Sequence, residues 1–258
     1  MRAVAAHDQP PTLRLYGWRP PGVSLGYFQP LDEGIDVAEC RRRGYDIVRR
    51  PTGGRASLHD DEVTYSFCIR QEAMRGGHSV MASYRQISRG IIAGLGKLGA
   101  QVRLGDAAAP RPAAQAEVRA LCFARTARCD LQAAGRKIVG SAQVRRDGAI
   151  LQHGSIPLTI DPEAHAAVLP GAAGASVAAR SLERAAQGVA QLLGRPVTFE
   201  ELCAAIAAGF AEAFDVTLTR QPLSPLEEAM AERLRAEKYA MDAWTRKPPG
   251  RPRAHPAS

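Results

Sequence analysis

The sequence predicts an α+β domain built on a largely antiparallel or mixed sheet. Three observations carry that prediction. Residues 63–69 alternate apolar and polar in the manner of a strand. Residues 80–98 place apolar side chains at helical spacing. Residues 131–158 hold short strand-like runs broken by turn residues. Strands gathered into hairpins, rather than strictly alternating with helices, indicate α+β.

In chain order, residues 12–16 and 24–28 read as short strands on either side of the turn Pro20-Pro21-Gly22. Asp36 can cap a short helix, with Glu39 three residues on and Gly44 at its end. Residues 45–49 follow as a strand. Val63, Tyr65, Phe67 and Ile69 alternate with Thr64, Ser66 and Cys68, which predicts a half-buried strand. Val80, Tyr84, Ile87, Ile91, Leu95 and Leu98 recur three or four apart, an amphipathic helix ending near Gly99. Residues 107–118 are rich in Ala and Pro and read as a loop. Two or three strands fill 131–158, with Arg146-Asp147-Gly148 as one turn. Helices return after that. Thr198 and Glu201 form a predicted capping box ahead of Leu202, Ile206, Phe210 and Phe214. Ser224-Pro225-Leu226-Glu227 starts another helix, with Pro at its first position. The tail from 247 onward is basic and Pro-rich and is expected to be disordered.

The 258 residues suit one large domain, or one domain with a small appendage. With 45% apolar and 23% charged residues, the chain can bury a core without staples. The formal charge of +8 comes largely from Arg, in runs such as Arg41-Arg42-Arg43. It suits nucleic acid, anionic lipid or an acidic protein, or is simply a solvated surface. Five cysteines, an odd number at irregular spacing, predict free thiols in a reducing cytoplasm. Residues 1–11 carry no apolar signal core, and no stretch approaches a membrane span. No Cys-x-x-Cys pair is present, so no metal site is expected.

Three blocks stand out. Arg49-Arg50-Pro51-Thr52-Gly53-Gly54-Arg55-Ala56-Ser57-Leu58-His59-Asp60 joins adjacent glycines to flanking arginines. Such glycines permit positive φ and close approach of a ligand to the backbone, and arginines bind anionic or carbonyl oxygens. A plain hairpin turn would look the same. Lys137 stands at the start of a strand in Gly135-Arg136-Lys137-Ile138-Val139-Gly140-Ser141-Ala142-Gln143. The small residues leave room against the backbone, although an exposed lysine on an edge strand is also common. Leu151-Gln152-His153-Gly154-Ser155-Ile156 supplies a single histidine, which by itself is as readily structural.

Together, in this order and at this spacing, the blocks resemble the lipoate-handling branch of the lipoate/biotin protein ligase superfamily. Softer matches are Pro11-Thr12-Leu13-Arg14-Leu15-Tyr16-Gly17-Trp18, Ser24-Leu25-Gly26-Tyr27-Phe28-Gln29, and Lys238-Tyr239 followed by Trp244. The resemblance covers roughly residues 10–246. It implies a biotinyl/lipoyl synthetase-like fold (class II aminoacyl-tRNA-synthetase-like), a mixed sheet with flanking helices. It divides the chain into a catalytic domain over 1–222, a helical extension over 223–246 and the tail over 247–258. Members generally open with a longer helix, of which only Met1-Arg2-Ala3-Val4-Ala5-Ala6 stands here, so that helix is expected to be truncated with an apolar face exposed. The resemblance implies an acyl tunnel formed by Arg50, Gly53, Gly54, Arg55, His59, Gly140, Ser141, Ala142, His153 and Gly154.

Two chemistries use this fold. Ligases activate a free acid with ATP and Mg. Transferases begin from a thioester, which already carries the free energy to acylate an amine, and need a thiolate instead of a nucleotide. Cys122, in Leu121-Cys122-Phe123 and fifteen residues before Lys137, is similar to the nucleophile of the cysteine octanoyltransferase branch. Lys137 would then stabilise its thiolate, bind the acyl carbonyl and later help deprotonate the incoming amine. Cys129 stands where the branch often has an aromatic residue. Cys40, Cys68 and Cys203 read as structural. The resemblance implies octanoyl-acyl carrier protein as donor, a lipoyl-domain protein such as glycine cleavage H protein or an E2 subunit as acceptor, and a cytoplasmic monomer. No cofactor, membrane or nucleic acid is expected. The alternatives are an ATP-dependent lipoate ligase, a lipoyl amidotransferase, and a non-catalytic acyl- or nucleic-acid-binding module.

Overall fold

The computed structural model describes residues 1–105, 130–171 and 174–246. Cys122, Cys129, the predicted loop at 107–118 and the tail from 247 lie outside the described residues.

The elements are α1 (Arg2–Ala5), β1 (Thr12–Tyr16), β2 (Gly22–Leu25), α2 (Val37–Arg42), β3 (Asp46–Arg49), β4 (Ser57–His59), β5 (Glu62–Arg70), α3 (Val80–Lys97), β6 (Arg103–Leu104), β7 (Leu131–Ala133), β8 (Arg136–Arg146), β9 (Ala149–Pro157), α4 (Pro162–Val168), α5 (Ala175–Ala185), α6 (Val189–Leu193), α7 (Phe199–Phe214), α8 (Pro225–Leu234), a π-helical turn (Arg235–Tyr239) and α9 (Asp242–Arg246). Six strands pair antiparallel in the order β1-β5-β9-β8-β7-β6. A smaller sheet, β3-β2-β4, joins a parallel to an antiparallel pairing. The expected mixed α+β architecture is present.

Local chemistry accounts for most boundaries. Asp36 accepts the Glu39 amide at 2.9 Å and caps α2. Ser79 caps α3 through the Ala82 amide. Arg146 pairs with Ala149 across Asp147-Gly148, whose φ values of 52° and 73° make the two-residue type I′ turn that Asp-Gly favours. At Thr198 only half of the predicted capping box forms. Thr198 accepts the Glu201 amide at 3.1 Å, but the Glu201 carboxylate turns to Arg195 at 2.8 Å, an opposite charge being the stronger partner. Ser224 and Glu227 form the full box.

Two sequence expectations need correction. The strand placed at 24–28 runs instead over Gly22–Leu25, because Leu25 is the last residue paired with β3. The strand expected to be half-buried, β5, is covered on both faces. On one face Tyr65, Phe67 and Ile69 pack with Ile87, Ile91 and Leu95 of α3 and Leu202, Ile206 and Phe210 of α7. On the other face Glu62 and Thr64 meet His59 and Trp18 beside the small sheet, and Ser66 and Cys68 lie toward α1 and α8. The short helix α1 packs Ala3 and Val4 into the fold. A second core lies beneath the small sheet, where Val23, Leu25 and Leu58 meet Ala164 and Val168 of α4 and Ala178, Ala179 and Leu182 of α5. Among the described residues no helix is long and apolar enough to cross a membrane.

Candidate active site

Between the two sheets lies a cavity of about 300 Å³ with a mostly apolar lining. Each predicted block contributes one wall. The first gives Arg50, Gly53, Gly54 and His59; the second gives Lys137, Gly140, Ser141 and Ala142; the third gives His153 and Gly154. Gly54 has φ of 96°, a conformation that favours glycine. Arg55 is not among the lining residues. Its guanidinium turns to Glu33 at 2.7 Å on the surface.

Lys137 is 2% exposed, so it is not the solvated edge lysine that its position also permitted. Its Nζ lies 3.0 Å from the carboxylate of Asp130, which is 1% exposed. Seven residues separate the two in sequence. They are brought together by the β7–β8 hairpin, whose Ala134 and Gly135 both have positive φ, with Ala133 paired to Arg136. The Lys137 backbone is fixed as well, since its carbonyl accepts the Gln187 amide at 3.0 Å.

The flanking arginines do bind carbonyl oxygens, but those of the chain itself. Arg49 is 1% exposed and donates to the carbonyls of Gly26, Gln29, Trp244 and Thr245 at 2.6–3.0 Å. Trp244 returns a hydrogen bond to the Arg49 carbonyl at 3.0 Å, and Lys238 Nζ lies 4.1 Å from the Trp244 ring centre. The C-terminal Lys238-Tyr239…Trp244 match is thereby tied to the loop behind the cavity. Arg50 donates to the carbonyls of Ser24, Gly53 and Arg55 at 2.6–3.0 Å, bracing the glycine loop.

Gly154 shows why the third block needs a glycine. Tyr65, Gly154 and Ser141 stand in register on three neighbouring strands. The Tyr65 hydroxyl donates to Ser141 Oγ at 2.7 Å on the far side of Gly154. A Cβ there would lie 2.3 Å from the Gly140 carbonyl oxygen and 2.8 Å from the Tyr65 ring. Burial pushes the Tyr65 phenol up to about 12, so it stays protonated and donates.

His153 Nε2 and Thr52 Oγ1 are 2.6 Å apart. Burial, with the charges of Arg50 and His59 adding to it, pushes His153 down to about 3. It is a neutral wall of the cavity. His59 has the opposite setting. Its Nδ1 lies 2.8 Å from Glu62 and its Nε2 lies 2.7 Å from Ser24 Oγ. Trp18 stacks on the ring with centroids 4.3 Å apart. Burial alone would raise the Glu62 pKa, but His59 and hydrogen bonds from Ser155 and Thr64 outweigh it and hold the carboxyl below its usual range.

Burial pushes the Cys40 and Cys203 thiols up to about 11, which suits packing residues rather than nucleophiles. The partners that the sequence reading missed are Asp130, Glu62, Ser24 and Trp18. Ser24 and Trp18 lie in the softer matches. Glu62 was visible as an acid opening an otherwise apolar and hydroxyl-bearing strand.

The fold and the cavity define a catalytic domain of the lipoate-handling class. The structure superposes on that of a bipartite lipoate protein ligase studied with its E2 lipoyl domain from Thermoplasma acidophilum, with a TM-score of 0.78 and 23% identity, over 98% of this chain and 91% of the other. More particularly, residues 1–211 match the model of the lipoyl protein ligase A/B catalytic domain, and the chain belongs to that family. It is 45% identical over 240 residues to an octanoyltransferase LipM of Symbiobacterium thermophilum, covering 92% of this chain and 87% of that protein. It is 44% identical over 252 residues to an octanoyltransferase LipM of Kyrpidia tusciae, covering 95% and 90%.

Proposed function

We propose that this protein is an octanoyltransferase of protein lipoylation, which passes the octanoyl group from octanoyl-acyl carrier protein through Cys122 to a lysine of a lipoyl domain. The observation that carries this reading is the convergence of three separated sequence blocks on one apolar cavity with a buried lysine, in a chain 45% identical to an octanoyltransferase.

The first half-reaction begins with the Cys122 thiolate attacking the thioester carbonyl. The carrier leaves as its thiol, and the octanoyl group is held as a thioester on Cys122. Lys137, oriented by Asp130, provides positive charge for the thiolate and for the oxyanion that forms on the carbonyl. Arg50, Gly53, Gly54, His153 and Gly154 enclose the chain, and Gly140, Ser141 and Ala142 lie along it. Arg55, paired with Glu33, supports the loop from outside. The second half-reaction is attack by the acceptor amine, which forms the amide and frees Cys122. A thioester donor already stores the free energy needed, so no nucleotide or metal enters. The net charge of +8 favours encounter with acidic partners, and this attraction weakens with added salt. A cytoplasmic monomer fits this role.

The test is octanoyl transfer to a purified lipoyl domain from octanoyl-acyl carrier protein with ATP omitted. Transfer without ATP is expected. Transfer only from free octanoate with ATP and Mg would replace this reading by the ligase.

A further inference from the structure

Arg49 is among the largest fully buried side chains, and among the described residues no carboxylate pairs with it. Backbone carbonyls answer its charge instead, and they come from two distant segments. Nη1 serves the carbonyls of Gly26, Tyr27 and Gln29 at 2.6–3.2 Å. Nε and Nη2 serve those of Trp244 and Thr245 at 3.0 and 2.6 Å. These two carbonyls close α9 and have no partner within that helix. Release of α9 would leave donors of a buried cation without acceptors, a cost relieved only by moving Arg49 toward water.

That latch accounts for the place of the C-terminal extension. A helix held by apolar packing buries one face, yet α8, the π-helical turn and α9 bury no residue. Trp244 is the fastening point. Its Nε1 donates to the Arg49 carbonyl at 3.0 Å, its ring meets the Tyr27 ring at 5.7 Å, and Lys238 Nζ lies 4.1 Å from the ring centre.

The segments held by Arg49 lead to the cavity. The Tyr27 amide donates to the Thr52 carbonyl at 2.8 Å, and the Arg50 amide to the Leu25 carbonyl at 3.0 Å. A Cβ on Gly26 would lie 1.8 Å from the Gly54 carbonyl oxygen, so the two loops touch backbone to backbone. Thr52 Oγ1 in turn lies 2.6 Å from His153 Nε2, and Gly53 and Gly54 line the cavity.

We propose that Trp244 is a positioning residue of the acyl cavity. By fastening α9 to Arg49 it fixes the 26–29 turn and the glycine loop in the conformation that closes on the acyl chain. Its loss therefore weakens binding of the chain and leaves the transfer steps intact. The proposal rests on the reading that this cavity holds an acyl group.

The test uses the full-length protein carrying Cys122→Ala, so that octanoyl-acyl carrier protein binds without turnover. Hydrogen exchange, read peptide by peptide, follows residues 26–29 and 50–55. In Trp244→Ala both segments should exchange faster, with β5 and α3 unchanged. The carrier concentration that half-protects 50–55 should rise about tenfold, the effect of losing one hydrogen bond near a buried charge. With Cys122 intact, the transfer rate at saturating donor should stay within about twofold of the wild type, as expected when only binding is weakened. Trp244→Phe, which keeps the ring contacts and loses the indole donor, should bring the half-protecting concentration back to within about threefold. Wild-type exchange of both segments in Trp244→Ala, or an unmoved half-protecting concentration, would overturn the proposal. So would a lower rate at saturating donor with that concentration unmoved. If Trp244→Ala melts early, Lys238→Gln, which takes the charge off the indole face, is measured in its place, and the same outcomes decide. No protection of 50–55 by the octanoyl carrier with Trp244 in place would overturn the acyl reading of the cavity, and the proposal with it.

Discussion

Val63, Tyr65, Phe67 and Ile69 point to one side of β5, and Glu62, Thr64, Ser66 and Cys68 to the other, as successive strand residues must. The first side packs on α3 and α7 and contains one polar atom of note, the Tyr65 hydroxyl, which is hydrogen-bonded. The second side is nearly as well covered, yet it carries a carboxylate, Glu62, and a hydroxyl, Thr64, in a network that reaches the cavity. Burial on the apolar side stabilises the fold. On the polar side, desolvation opposes folding, and only partners in fixed positions offset it. A strand covered on both faces but apolar on one only therefore marks where the molecule holds chemistry.

Truncation on the apolar side should break stability and spare chemistry. Phe210 is 1% exposed and contacts the rings of Tyr65, Phe67 and Phe214. Phe210→Ala should cost about 3–5 kcal/mol in urea unfolding, with the transfer rate per folded molecule unchanged at low temperature. A change at the boundary should do both. Gly154→Ala would force a methyl within 2.3 Å of the Gly140 carbonyl, displacing Tyr65 from Ser141. A loss of about 1–3 kcal/mol is expected, together with slower octanoyl transfer, because the cavity wall moves with β8.

The polar side should also leave a signature in pH. His153 is neutral in the fold down to about 3 and titrates near its ordinary value of 6.5 when unfolded. Between those values the unfolded chain binds the extra proton, so stability is lost as pH falls from about 6.5 toward about 3. The slope is on the order of 1.4 kcal/mol per pH unit for one proton. His165, also lowered by burial, acts in the same direction. Unfolding midpoints across this window should show the slope, and His153→Gln should reduce it while leaving the His165 part.

The same contrast explains what could be read from the sequence. The period of 63–69 and the spacing of 80–98 predicted β5 and α3, because apolar packing imposes a period. Asp36, Asp147-Gly148 and Ser224-Pro225 predicted caps and turns, because those rely on contacts two or three residues away. No helix was named between Leu158 and Thr198, where α4, α5 and α6 lie. α4 and α6, at seven and five residues, are too short to show a helical period. α5 does contrast Ala178, Ala179 and Leu182 with exposed Arg180, Glu183 and Arg184, although two of its three buried residues are alanines, a weak apolar signal. The second cover on β5 was missed for a related reason: hydroxyls and a carboxylate on one face look solvated until their partners are seen. The three blocks located the cavity, but not what orients its lysine and histidine. Asp130 meets Lys137 only through a hairpin, and Arg55 leaves the group because Glu33, distant in sequence, attracts it.

The most direct test of the account is the intact mass and peptide map of the protein after incubation with octanoyl-acyl carrier protein and no ATP. The account predicts one octanoyl adduct on Cys122, removed by hydroxylamine, absent in Cys122→Ala and strongly reduced in Lys137→Met. An unmodified wild-type protein, or an adduct that maps to another cysteine and persists in Cys122→Ala, would contradict it.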